Sequence, residues 1–166
     1  MERTAITQGL SKPKTLRRMH VPGAICFVTA TTRRREAILV GDRARAAMEA
    51  FKRLRAESRV RVLAFVVMPD HIHALLSPMG ESQIGDSMKF FKRVVGNQTR
   101  KSGHVGRVWE ARFYDRVIRD RPELMAAIEY IHANPVRAGL CEEPVVWPWS
   151  TAACIDRWDL ESAAPS

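Results

Sequence analysis

The sequence predicts an α+β fold of the ferredoxin-like, split βαβ type, a four-stranded antiparallel sheet with helices on one face. Three observations predict it: four short segments rich in β-branched and aromatic residues, three segments with apolar residues at helical spacing, and their order, β-α-β-β-α-β-α. The 166 residues suffice for one such domain with one core. Because this scaffold hosts many unrelated functions, function must be argued from a site.

The first half of the chain predicts a strand, a helix and a hairpin. Residues 24–32 alternate and are rich in β-formers, which is typical of a strand. From residue 42 onward, apolar side chains recur at spacings of three and four, which indicates a helix with one buried face. Residues 60–68 and 71–77 are both strand-like and are separated only by the turn at residues 69–70, so we expect antiparallel neighbours.

The second half predicts two helices around a fourth strand. Apolar residues recur at helical spacing over residues 82–101, and residues 113–118 are strand-like. A third helix opens at Arg121, where a proline follows at a position that favours helix starts. We expect Asn134-Pro135 to interrupt or kink this helix, because proline disfavours the α conformation in the residue before it.

The flanks divide the chain into three parts. We interpret residues 1–22 as a basic arm that orders only on a ligand, residues 23–151 as the folded domain, and residues 152–166 as a C-terminal tail that packs back on it.

The amino-acid composition restricts the class of binding partner. The net charge is +9 and the isoelectric point is about 10.2, which favours a polyanion such as nucleic acid over a membrane, although basic helix faces in solvent would give the same balance. Three cysteines without CxxC spacing argue against a disulfide framework or a zinc site. No apolar run approaches the roughly 20 residues of a membrane span, so we expect a cytoplasmic protein.

Two histidines on the predicted third strand are the first candidates for chemistry. Alternate residues of a strand project to one face, so His71 and His73 place two imidazoles side by side while Ile72 points away. Two neutral imidazoles on a rigid strand make half of a divalent-metal site. By itself the pattern also suits two structural histidines.

The residues around this pair resemble a known family. The stretch Val66 to Leu76, read as VVMPDHIHALL, is similar to the HUH motif (histidine, hydrophobe, histidine) of single-tyrosine transposases of the IS200/IS605 type. The later stretch Ile128 to Val136, read as IEYIHANPV, resembles the YIxxNPV signature of their REP-associated branch. The resemblance extends from about Leu16 to Thr151. Family members commonly carry histidine where this chain has Arg116, so no role is carried over to that position.

The resemblance implies a tyrosine HUH endonuclease or transposase. Tyr130 would be the nucleophile, giving a 5′-phosphotyrosyl link and a free 3′-hydroxyl, and Asn134 would join His71 and His73 as a metal ligand. Imidazole, amide and phosphate oxygens together suit Mg²⁺ or Mn²⁺. The other tyrosine, Tyr114, lies in a predicted strand, where aromatic residues usually pack or stack.

The resemblance also implies a partner, a single-stranded or hairpin DNA of the REP type with a short guide sequence at its foot. We expect basic side chains to contact phosphates and aromatic side chains to stack on unpaired bases. The candidates are Lys12, Lys14, Arg17, Arg18, Arg33, Arg34, Arg35, Lys89, Lys92, Arg93, Trp109 and Phe113.

Other functions stay open on the residues alone. A non-enzymatic nucleic-acid-binding protein would explain the charge but would leave both motifs coincidental. A metal-dependent nuclease that activates water would need the histidines but not the tyrosine. Asp70 and His132 are candidate helpers in activating Tyr130, and each also suits a structural role. The sequence does not decide between a monomer and a homodimer.

Overall fold

The computed structural model describes residues 23–57 and 60–154, which form one four-stranded antiparallel sheet and three helices. The strands are β1 (Cys26–Thr31), β2 (Val60–Met68), β3 (His71–Pro78) and β4 (Tyr114–Val117), in the spatial order β2-β3-β1-β4. The helices are α1 (Asp42–Ala56), α2 (Ile84–Lys101) and α3 (Arg121–Arg137). The predicted ferredoxin-like fold and its element order are confirmed. Within the described ranges, no helix is long and apolar enough to cross a membrane.

The sheet separates two apolar clusters. α1 and α2 cover one face, where Phe51 stacks between Phe65 and Phe91 with ring centroids 4.6 and 4.5 Å apart. α3 covers the opposite face, where Ile131 joins the cluster around Phe27. The expectation that the helices share one face therefore holds for α1 and α2 and does not extend to α3. The two crossover helices share a face because βαβ connections have one hand, whereas α3 follows the last strand and covers the apolar face left open.

α3 runs unbroken from its cap to its last turn. Asp120 caps it by accepting a hydrogen bond from the backbone N–H of Glu123, at 2.8 Å. The expected interruption at Asn134-Pro135 is wrong, because Pro135 is a buried residue inside the helix and the carbonyl of Asn134 still accepts from the backbone N–H of Ala138. Because proline has no backbone N–H, the helix lacks the one bond that residue 135 would donate to the carbonyl of Ile131.

The segment after α3 returns to the free edge of β2. The indole N–H of Trp147 donates to the carbonyl of Val67 at 3.0 Å, and the N–H of Val67 donates to the carbonyl of Trp149 at 2.8 Å. The buried Thr151 hydroxyl accepts from the N–H of Phe65 and donates to its carbonyl. With that proton committed, the 2.8 Å contact between Thr151 Oγ1 and His132 Nε2 is a hydrogen bond donated by the imidazole. The segment satisfies an edge strand and ties α3 to it.

We expect Thr151→Val to lower the free energy of unfolding by about 1–3 kcal/mol, because the isosteric change leaves buried groups of Phe65 and His132 without partners. Urea denaturation followed by tryptophan fluorescence measures the effect. Thr151→Ser keeps the hydroxyl and serves as the matched control, with a much smaller loss. Equal midpoints for Thr151→Val and the unsubstituted protein would contradict the role of this hydroxyl.

Candidate active site

The two histidines of β3 lie on the sheet face that α3 covers. β3 is an interior strand, and His73 pairs with Thr29 of β1 on one side and with Val66 of β2 on the other. The imidazole centroids of His71 and His73 are 4.7 Å apart. Ile72, between them, is fully buried in the cluster on the opposite face. The side-by-side placement expected from strand alternation is therefore observed.

Both imidazoles are held through the same ring nitrogen. Nδ1 of His71 lies 2.6 Å from Oδ1 of Asp70. Because an ionised carboxylate only accepts, this bond is donated by Nδ1–H and leaves the lone pair on Nε2. Nδ1 of His73 is hydrogen-bonded to the hydroxyl of Thr29 at 2.8 Å. In each ring, Nε2 is the nitrogen that remains for a ligand, which is how metal-binding histidines are usually arranged.

The electrostatics around His73 favour a neutral imidazole. Burial lowers the pKa of His73 to about 3, with smaller contributions from the nearby charges of His71 and Arg35. The side chain is only 7% exposed, so its charged form would lose most of its hydration. For Asp70, burial acts to raise the pKa, but hydrogen bonds from His71 and Arg35 outweigh it and leave the pKa below its usual value. A neutral imidazole is the form that binds a metal ion.

α3 brings Tyr130 to the histidines. The phenol ring of Tyr130 lies 5.4 Å from the His73 ring, centroid to centroid, and 6.1 Å from that of Phe27. Because the helix is unbroken, Asn134 follows one turn later on the same face. Tyr114 lies on β4, beyond β1 from the histidine strand, and is 43% exposed. Of the two tyrosines, Tyr130 is the one that contacts a histidine ring.

The donor set fits a divalent ion. Two imidazole Nε2 atoms and the amide oxygen of Asn134 are ligand types that such ions accept. No group of three histidine, cysteine, aspartate or glutamate side chains in the described part of the chain is arranged to hold a metal. The expected set needs only two such side chains, since its third ligand is an amide.

The arginine triplet lies beside this site. Arg33–Arg35 forms a single 3₁₀ turn after β1, in which Arg34 and Arg35 both have positive φ, 55° and 56°. Arg35 contacts the carboxylate of Asp70 at 3.1 Å, while the backbone N–H of Arg34 donates to the side chain of Glu110. The triplet therefore borders the β2–β3 turn that precedes His71.

The other predicted DNA contacts lie away from the histidines or outside the described residues. α2, which carries Lys89, Lys92 and Arg93, covers the opposite face of the sheet. The ammonium of Lys92 donates to the carbonyls of Glu110 and Arg112, so burial and these bonds occupy it inside the protein.

The remaining members of the predicted DNA-contact set either contact other side chains of the protein or lie outside the described residues. Lys89 pairs with Asp86, Arg93 lies over the Phe90 ring, Phe113 lies under the Lys92 ammonium, and Trp109 is 8% exposed beside Phe91. Lys12, Lys14, Arg17 and Arg18 are outside the described residues. Trp109 in particular is a core residue here and does not present its ring for stacking.

Sequence reasoning missed two residues of the site. Thr29 orients His73 from the neighbouring strand, and the β1–β3 register was the signal that could have found it. The guanidinium of Arg137 lies 4.9 Å from the centroid of the Tyr130 ring, two turns further along α3. It was missed because the helix was expected to be interrupted or kinked at the proline. Arg116 lies over the Phe27 ring and pairs with Glu123, which is a structural role.

The sequence of this chain is similar to those of known transposases. Residues 23–134 match the family model described as Transposase IS200 like. The REP-associated tyrosine transposase of Escherichia coli K12 is 25% identical over 136 residues, covering 81% of this chain and 80% of its own. A Haemophilus influenzae protein, provisionally given the same name, is 25% identical over 146 residues, covering 81% and 83%.

A solved structure supports the same fold. The REP-associated tyrosine transposase that was solved bound to a REP hairpin has a TM-score of 0.73 to this chain, at 24% identity, over 92% of this chain and 91% of that one. The family match covers both the histidine strand and the helix with Tyr130, so the resemblance noted in the sequence is confirmed. The chain belongs to the IS200-like transposase family and is a transposase-type enzyme.

Proposed function

We propose that this protein is a divalent-metal-dependent endonuclease and strand transferase that cuts single-stranded DNA at the foot of REP-type hairpins. The observation that carries the proposal is the contact between the Tyr130 phenol ring and the His73 imidazole, beside His71. The relative solved with a REP hairpin supports hairpin DNA as the substrate.

Three side chains would hold the ion. His71 and His73 offer Nε2, and Asn134 offers its amide oxygen. When bound, Mg²⁺ or Mn²⁺ supplies Lewis-acid polarisation of the scissile phosphate and neutralises charge that builds up on it. Buried His73 fixes one ligand rigidly, while the more exposed position of Tyr130 leaves the phenol open to a DNA strand.

Tyr130 would then act as the nucleophile. Its phenolic oxygen forms a bond to phosphorus and gives up its proton, while the bond from phosphorus to the 3′ oxygen breaks and that oxygen takes a proton. The products are a 5′-phosphotyrosine and a free 3′-hydroxyl, which can reverse the step on another strand. The guanidinium of Arg137, beside the phenol, adds positive charge where the phosphate would lie.

The basic turn would guide the strand into the site. Arg33 and Arg34 lie next to the turn that precedes His71, and Arg34 is exposed. Phosphate contacts at this position would set the register of the DNA without reading its bases. The basic residues of α2 lie on the other side of the sheet and are not part of the proposed path.

We expect Tyr130→Phe to abolish the covalent protein–DNA adduct, because the phenolic oxygen is the atom that would form the phosphodiester. Denaturing gels of protein mixed with a labelled hairpin and Mn²⁺ measure it. Tyr114→Phe is the matched control and should form adduct normally. An adduct that persists in Tyr130→Phe would contradict the assignment, and release of a free 5′-phosphate at the unsubstituted rate would favour a water-using nuclease.

We expect His73→Ala to eliminate cleavage while leaving hairpin binding and its salt dependence unchanged, since the imidazole is a ligand to the ion and carries no charge of its own. Cleavage assays and gel-shift titrations separate the two quantities. His104→Ala, in the loop after α2, removes an imidazole away from the site and serves as the control. Cleavage by His73→Ala in the presence of a chelator would contradict the metal-dependent mechanism.

We expect Arg34→Ala to weaken hairpin binding and to reduce the slope of log affinity against log salt by about 1, as loss of one phosphate contact does. Fluorescence anisotropy at several salt concentrations measures the slope. Arg45→Ala removes an equally exposed arginine from α1, on the opposite side of the sheet, and should leave the slope unchanged. Equal slopes for both variants would remove the basic turn from the DNA path.

A further inference from the structure

The carboxylate of Asp70 connects the basic turn to the first histidine. Its Oδ1 lies 2.6 Å from Nδ1 of His71, and its Oδ2 lies 3.1 Å from a guanidinium nitrogen of Arg35. We propose that Asp70 is a positioning residue that fixes the His71 imidazole with Nε2 toward the metal site, and that Arg35 holds Asp70 in place. This inference rests on the proposed function, because it assumes that His71 is a metal ligand.

The backbone around Asp70 is fixed independently of its side chain. The carbonyl of Asp70 accepts a hydrogen bond from the backbone N–H of Thr32 at 2.9 Å. The Thr32 hydroxyl lies between the carbonyls of Glu36 and Asp70, at 2.7 and 2.9 Å. Next to it, the carbonyl of Pro69 accepts from the N–H of Leu39 at 2.8 Å. The turn is therefore rigid enough for the carboxylate to define the orientation of a neighbouring ring. Removing only the carboxylate should leave the turn itself in place.

The backbone of the arginine turn is strained, and its contacts explain why the strain persists. Arg34 and Arg35 both adopt positive φ, which is uncommon for residues that have a Cβ and usual for glycine. Backbone bonds from Arg33 to Val108 and from Arg34 to the side chain of Glu110 hold the turn. Strained backbone that surrounding contacts maintain is concentrated at functional sites. In this turn, the backbone conformation accompanies a position of the Arg35 guanidinium within reach of Asp70.

The hydrogen bond to Asp70 determines which nitrogen of His71 is free. Without an acceptor at Nδ1, a neutral imidazole carries its proton on either nitrogen, and in one of those forms Nε2 has no lone pair for a ligand. A carboxylate behind a metal-binding histidine fixes both the tautomer and the ring orientation. The Thr29 hydroxyl holds the orientation of the His73 ring from the neighbouring strand, so each ligand has its own support.

The tautomer can be measured without any metal. Long-range ¹H–¹⁵N NMR spectra of the metal-free protein, recorded where the imidazole is neutral, distinguish Nδ1–H from Nε2–H for His71. We expect pure Nδ1–H in the unsubstituted protein and in Asp70→Asn, whose amide oxygen still accepts, and a mixture in Asp70→Ala. Asp86→Ala, which removes an exposed carboxylate of α2, is the matched control and should leave the His71 signals unchanged.

Metal affinity gives the second readout. Titration with Mn²⁺, followed by the EPR signal of the free ion, should show about 10–100-fold weaker binding for Asp70→Ala and near-normal binding for Asp70→Asn. Arg35→Ala should lie between the two. Circular dichroism verifies that each variant is folded, and Asp70→Asn supplies the test if Asp70→Ala does not fold.

The outcomes separate this inference from the proposed function. If the unsubstituted protein binds Mn²⁺ no better than His71→Ala does, the metal ligand assignment fails and this inference fails with it. If the unsubstituted protein binds Mn²⁺ and Asp70→Ala matches it in both tautomer and affinity, only the positioning role of Asp70 is overturned. Equal weakening by Asp70→Ala and Asp70→Asn would also overturn it, because charge rather than orientation would then decide affinity.

Discussion

The register of β3 between its two neighbours is the constraint on which the site depends. His73 is paired on both sides, with Thr29 and with Val66, so β3 cannot shift along its axis without breaking both ladders. A slip of one residue would turn both histidines into the apolar cluster under α1 and α2, and would bring Ile72 to the face of α3. Unpartnered imidazoles in that cluster would lose their hydration. The apolar core on one face of the sheet therefore determines that the two histidines lie on the other face.

The second half of the site depends on packing that is not part of the sheet. α3 attaches to its face through an apolar cluster that includes Phe27 and Ile131, and to the β2 edge through the bond from His132 to Thr151. Ile131 and His132 are consecutive residues and project about 100° apart around the helix axis, so the two attachments restrict both the height of the helix above the sheet and its rotation. Rotation matters most, because it determines whether Tyr130 faces His73. A helix held only by apolar contacts would have more freedom to roll.

Local patterns predicted the elements well, and long-range contacts account for what was missed. Strand alternation was enough to place His71 and His73 side by side, and helical spacing was enough to locate α3. No local pattern states which face of the sheet a terminal helix covers. Nor does a local pattern show that α3 continues through Pro135, which is buried inside the helix. Charge was the least informative signal, since Lys92 looks like a surface cation in the sequence and instead binds two backbone carbonyls.

The distribution of charge explains why a basic protein would still need an ion at its site. Arg35 is paired with Asp70, and Arg116 with Glu123, so part of the positive charge near the histidines is already balanced within the protein. Burial keeps His73 neutral, so it offers a lone pair rather than a positive charge. Under the proposed function, the net charge of +9 draws DNA toward the protein from a distance. In the proposed function, the ligands are neutral, so the divalent ion is the main source of positive charge at the phosphate. The orientation of those ligands matters because it determines whether the ion is bound.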